Sequence, residues 1–331
     1  MDDIKNAIAE NVAFYRDQER KIAARLAQLP KGRIRDRKIG GESYHYLEYR
    51  KGRSVRTDYV GKSVPRSLQE GLAERARLEK ELRGVREAQS LYKSGRKEEI
   101  DLTGPVMDVL RVMTKHGLWD EGFEIIGSWC FLLYQKHLPM EKYPVRTEDL
   151  DILVPRPFKG RPVDIGELLQ RLGFRQHFNP DGSVYFAGNR MKVEFVTRER
   201  RDGTLPPRYM KEISLTPQEL RHLEILAAGP VILKLGPGIR ARIPGPAAFF
   251  LHKLFLAARP ERGAKKEKDI KQAVYVGRYI LSEAPETDRL LGLWADLSRR
   301  WKSLIRRSLA GATDLMPLET TVIERLLGLL L

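Results

Sequence analysis

Three carboxylates and a glycine-serine pair are spaced for phosphate chemistry in this chain. Asp149 and Asp151 stand at i and i+2 in a short run that continues through Ile152, Leu153 and Val154. Side chains alternate faces along a strand, so both carboxylates project from one side of a sheet. Two carboxylates that close repel each other unless a cation lies between them, and oxygen donors suit a hard divalent ion such as Mg²⁺. Glu194, flanked by Val193 and Phe195 in a second apolar run, supplies a third carboxylate, and its strand is expected to lie beside that of Asp149. Upstream, an apolar strand over 123–126 ends at Gly127-Ser128 and a helix follows over 129–137. A glycine and a small hydroxyl residue at a strand-to-helix turn present free backbone N–H groups and the positive helix end, which suits the phosphates of an NTP.

In this order, Gly127-Ser128, Asp149-x-Asp151 and a strand-borne Glu194 resemble the signature of the DNA polymerase beta nucleotidyltransferase superfamily. The run from Arg146 to Ile152 further resembles a bacterial stand-alone subgroup related to abortive-infection type II toxins. The resemblance covers residues 104–280, with 137–146 read as an inserted loop. It implies transfer of an NMP from an NTP to an acceptor hydroxyl, with Asp149, Asp151 and Glu194 catalytic and holding two Mg²⁺, and with Gly127 and Ser128 on the nucleotide. It also implies a C-terminal nucleotide-binding motif of Lys253, then Lys266 or Arg262, then Asp269. RNA is the acceptor it favours, the end of a tRNA among the candidates, with an antitoxin or regulatory partner beside it. A protein side chain or small hydroxylated molecule would use the same carboxylates. From a different class comes a nucleic-acid-binding or regulatory protein with an inactive nucleotidyltransferase fold.

The elements that must position these residues follow from periodicity. The expected fold is α+β: a small mixed sheet forming a nucleotidyltransferase core over 101–245, a C-terminal helical domain over 246–331, and an N-terminal helix, β-meander, helix module over 1–100. Apolar residues recur at helical steps from Ile4 to Leu29, stopped by Pro30, and again at Leu78, Leu82, Val85 and Tyr92 after Pro65. Between them, Gly40-Gly41 and Lys51-Gly52 separate three strand-like runs. In the core, a helix around Val109 leads to the Gly127 strand, a second helix is expected over 164–172, and a hairpin turns at Gly188-Asn189. The basic, proline-bearing segment 198–210 reads as a long loop beside the Glu194 strand.

Lys and Arg number 60 against 44 Asp and Glu, a formal net charge of +16. Such an excess favours a polyanionic partner. The first hundred residues hold 24 of the basic residues and 16 of the acidic ones, half of the total surplus. Within the meander, Arg33, Arg35, Arg37, Lys38, Arg53 and Arg56 are interleaved with Tyr44, Tyr46, Tyr49 and Tyr59, a composition suited to nucleic-acid backbones and base stacking. A half-buried sheet with a solvated basic face is the competing reading. The single cysteine, Cys130, rules out an intrachain disulfide and falls in an apolar helix, where packing is its expected role. The six histidines show no zinc-ligand spacing. No apolar run reaches bilayer length and the N-terminus lacks signal-peptide order, so a soluble cytoplasmic protein without a membrane partner is expected; oligomeric state stays open.

Overall fold

The structure is a computed structural model and describes residues 2–331 apart from 53, 94–102, 144, 146, 148, 189–190, 201–205 and 264. Arg53, Arg146 and Glu148 therefore lie outside the described residues. The chain divides into two compact units, residues 1–97 with 311–321, and residues 98–310 with 322–331.

The first unit contains α1 (Asp2–Gln28), β1 (Arg33–Ile39), β2 (Glu42–Lys51), β3 (Ser54–Gly61) and α2 (Arg66–Lys93). Ile22, Leu26 and Leu29 pack on Leu78, Leu82 and Val85, two sets at steps of three and four that interlock along one seam. Arg25 and Glu74 pair across that seam at 2.6 Å. Arg75 donates to the carbonyls of Leu26 and Leu29 at 2.8 and 3.0 Å, satisfying acceptors that the end of α1 leaves open. The strands form an antiparallel sheet in the order β1-β2-β3. Its first hairpin turns on Gly40 and Gly41, both at positive φ (60° and 86°), the backbone a type I′ turn demands.

The second unit begins with α3 (Thr103–Lys115), β4 (Glu124–Ile126), α4 (Ser128–His137), β5 (Asp149–Leu153) and α5 (Ile165–Arg171). It continues through β6 (Arg175–Phe178), β7 (Val184–Gly188), β8 (Met191–Arg198), β9 (Gln218–Leu220), β10 (Val231–Gly236) and β11 (Ile239–Ile243). Helices α6 (Pro246–Ala257), α7 (Lys265–Ser282), α8 (Ala284–Asp296) and α9 (Arg299–Ala310) follow. A short α10 (Ala312–Leu315) belongs to the first unit, and most of α11 (Thr320–Leu329) to the second.

The main sheet runs β4-β5-β8-β7-β6, with β9 also on β8. β8 is parallel to β5 and β9, and the remaining pairs are antiparallel. Leu150, Ile152, Val193 and Phe195 fill one face and are fully buried, each contributing about 1.5–3 kcal/mol of apolar burial. That burial fixes register, because a one-residue slip would exchange these side chains for Asp149, Asp151 and Glu194. The architecture is thus α+β, a mixed sheet followed by helices. β6 and β9 add strands that the apolar pattern did not announce. Helix α6 is apolar nearly all round and buried, packed against α7, α8 and α9.

Candidate active site

Register brings the three carboxylates together. Asp149 lies opposite Lys192 and Asp151 opposite Glu194 on the parallel strands β5 and β8, so the predicted triad shares the face opposite the apolar one. All three are half-buried. Burial and the neighbouring charges of Glu194 and Asp149 push the Asp151 carboxyl up to about 7, with Lys253 and Lys265 opposing. Lys192 donates to Glu194 at 2.6 Å.

The glycine has a steric reason. Gly127 caps α4 at φ 74° and ψ −151°, and a Cβ there would overlap Asp151 Oδ2. The chain thus turns from β4 into α4 directly against the central carboxylate, a path only glycine follows without strain. Ser128 is buried at the first position of α4, and no side chain caps that helix. Cys130 is buried with its thiol pushed well above the ordinary value, chiefly by burial.

The C-terminal motif is a buried ion-pair cluster. Lys253 on α6 donates to Asp269 on α7 at 2.8 Å, and both side chains are almost wholly buried. Arg262, in a short 3₁₀ turn before α7, donates to the other Asp269 oxygen. Burial raises the Asp269 carboxyl, but Lys253 and Arg262 outweigh it and hold it below the usual carboxylate range. Of the two predicted intermediate bases, Arg262 meets the aspartate, while Lys266 is exposed on α7. Lys253 acts electrostatically on the carboxylate face, where its charge lowers the Asp151 carboxyl against burial and Glu194.

Two further groups escaped sequence reasoning. Glu124, three residues before Gly127, is buried beside Arg242 at 3.4 Å. Burial, against the pull of Arg242, pushes its carboxyl up to about 7, and among the described residues one of its oxygens has no hydrogen-bond partner. Its acidic character within an apolar strand was the available signal. Farther along the site face, Lys192 lies 4.0 Å over the Tyr185 ring, which stacks on His177. At the start of the 198–210 segment, Arg200 and Arg156 both pair with the buried carboxylate of Glu219 at 3.2 and 2.9 Å.

The meander arginines divide between faces. Pairings Arg33↔Glu48, Arg35↔Tyr46 and Arg37↔Tyr44 on one side, with Tyr46↔Tyr59 on the other, collect Arg33, Arg35, Arg37, Tyr44, Tyr46 and Tyr59 on one face. Lys38 and Arg56, one residue out of phase, occupy the opposite face.

Among the described residues, no three His, Cys, Asp or Glu side chains come together as a group that could hold a metal ion. The donors of the triad nonetheless fit a hard cation in kind: oxygen only, on one face, with a central carboxyl destabilised as an anion by burial first and by its acidic neighbours next.

The mixed sheet, the paired carboxylates and the glycine-led helix start keep the order that the resemblance to nucleotidyltransferases implies. Residues 105–291 match a family described as nucleotidyltransferase, more than half of the chain, and the chain belongs to that family. Residues 14–70 match a second family, described as a domain of unknown function. No curated protein matches. A similar solved structure is that of an antigenic nucleotidyltransferase-like protein from Paracoccidioides brasiliensis, at 16% identity, covering 66% of this chain and 91% of that one with a TM-score of 0.37.

Proposed function

We propose that this chain moves an NMP from an NTP to a hydroxyl group of RNA and releases pyrophosphate. The carrying observation is the shared face of Asp149, Asp151 and Glu194, with Gly127 pressed against Asp151. The first turn of α4 receives the triphosphate through its N–H groups and the positive helix end. The buried Lys253–Asp269–Arg262 cluster holds net positive charge near the carboxylates, opposing the charge that develops as pyrophosphate leaves. The acceptor oxygen attacks the α-phosphorus, the bond to the β-phosphate oxygen breaks, and Glu194 takes the hydroxyl proton. Asp149, Asp151 and Glu194 would hold the two Mg²⁺ ions, which supply Lewis acidity toward the phosphate oxygens and the acceptor hydroxyl when bound.

RNA is favoured as acceptor by the net charge of +16 and by the meander face. There Tyr59 lies 5.4 Å from Tyr46 and 6.3 Å from Tyr44, with Arg37 5.0 Å over the Tyr46 ring. Tyrosines stack bases and arginines hold phosphates. The toxin-like subgroup, and the antitoxin that would accompany it, rest on the resemblance of the run from Arg146 to Ile152 and of the motif Lys253, Lys266 or Arg262, and Asp269. A binding protein with a silent transferase fold is the second reading, favoured by the tyrosine face lying in a separate unit from the carboxylates.

The deciding experiment is transfer of label from each α-radiolabelled NTP, with Mg²⁺, into total RNA and protein, comparing wild type with Asp149→Asn. Label in RNA from wild type only is the expected result. Label in protein redirects the acceptor. No label, with RNA still bound, selects the binding-protein reading.

A further inference from the structure

One row of side chains crosses the site face of the main sheet. Asp151 stands opposite Glu194, Glu194 opposite Tyr185, and Tyr185 opposite His177, on β5, β8, β7 and β6 in turn. Directly opposed residues share a face, so the row is acidic at one end and aromatic at the other. The Tyr185 and His177 rings stack with centroids 5.2 Å apart and planes at 15°. Lys192 joins the two halves, 2.6 Å from Glu194 and 4.0 Å above the Tyr185 ring. Tyr185 is half-buried between the fully inward Val184 and Phe186, whereas His177 is exposed on the edge strand. The exposed His177 ring leaves the outer end of the pair open to solvent.

The two ends suit different parts of a transfer reaction. Gly127-Ser128 follows Ile126, which pairs with Asp151 on the side away from Glu194, so the triphosphate cradle and the aromatic pair flank the carboxylates from opposite directions. With neighbouring strands about 4.8 Å apart, Tyr185 and His177 lie roughly one and two strand spacings from Glu194, within the reach of a single nucleotide whose hydroxyl is at Glu194.

We infer that Tyr185 and His177 form the stacking platform for the terminal base of the RNA acceptor, with Lys192 beside that nucleotide's phosphate. The inference rests on the transferase reading and assigns the acceptor subsite within it. Stacking accepts any base, so the platform positions the end of the RNA without reading its sequence.

The test is steady-state transfer to a single-stranded RNA oligonucleotide, varying oligonucleotide and NTP separately, for wild type, Tyr185→Phe, Tyr185→Leu and His177→Ala, each first checked by thermal melting. The Leu and Ala variants are expected to raise the KM for the oligonucleotide roughly 10-fold or more, leaving the KM for the NTP unchanged, with Tyr185→Phe near wild type. Tyr185→Leu keeps bulk at the site and separates lost stacking from lost folding. An unchanged oligonucleotide KM, or a rise confined to the NTP, overturns the inference alone. Absence of transfer to the oligonucleotide by wild type overturns the RNA-acceptor reading and the inference with it, before any variant is compared.

Discussion

Asp151 and Glu194 face each other across two parallel strands, an arrangement that costs free energy while both are ionised. Lys192 offsets part of that repulsion at Glu194. Asp151 has no such direct partner among its strand neighbours, being opposed by Ile126 on its other side, and its carboxyl is pushed up to about 7 by burial first and by Glu194 next.

A divalent cation should therefore stabilise the folded chain through Asp151. At pH 8, added Mg²⁺ is expected to raise Tm for wild type and to leave Asp151→Asn unmoved, since binding to the native state alone shifts stability by mass action. Differential scanning fluorimetry with and without EDTA reads this independently of activity. An equal Mg²⁺ shift in both proteins would remove Asp151 from the cation site.

Glu124 sets a pH dependence of its own. Its carboxyl is raised from 4.5 to about 7 in the folded chain, so between those values the native state holds a proton that the unfolded state has lost. Stability consequently falls as pH rises through that window, and the loss is complete above pH 7. Glu124→Gln removes this titration and should make the slope shallower, a shift of this size being worth about 3 kcal/mol across the window. Chemical denaturation at pH 5 and pH 8 checks it; parallel pH profiles for the two proteins would contradict it.

Lys253 and Lys266 separate structural charge from surface charge. Lys253→Met leaves Asp269 buried with Arg262 alone and should cost about 3–5 kcal/mol, as removing one partner of a buried pair does. Lys266→Ala, on an exposed face of α7, should stay within about 0.5 kcal/mol of wild type. Urea midpoints at neutral pH measure both, and a stable Lys253→Met would mean that Asp269 takes up a proton in compensation.

What the sequence disclosed here followed periodicity. Asp149 and Asp151 alternate with Leu150 and Ile152, so their shared face was legible, as was Glu194 between Val193 and Phe195. Strand β6 was not, because all its residues are exposed and Phe178 points outward, leaving no apolar alternation to detect. The Tyr185–His177 row depends on register between strands, which no single segment encodes. Arg262 and Lys266 both offer a cation near Asp269 in sequence, and only the 3₁₀ turn before α7 decides that Arg262 meets it. The separation of Arg37 from Lys38 was available from strand parity alone, whereas that of Arg56 required the β2–β3 register.

That division of the meander yields a prediction about RNA binding by the full chain. Tyr59 is 58% exposed and completes the ring cluster with Tyr44 and Tyr46. Arg33 pairs with Glu48 and Lys62 with Glu42, so the arginine on this face that stacks on a ring, Arg37, is the one expected to meet phosphate. Tyr59→Ala should weaken binding of a single-stranded RNA by about 1–3 kcal/mol, the range for one stacked base, with little change in salt dependence. Arg37→Ala should weaken it and reduce the slope of log affinity against log salt by about one. Lys38→Ala, on the opposite face, should leave the affinity close to wild type. Fluorescence anisotropy across a salt series distinguishes the three, and equal losses from Lys38→Ala and Tyr59→Ala would show that the meander attracts RNA by net charge and not through its tyrosine face.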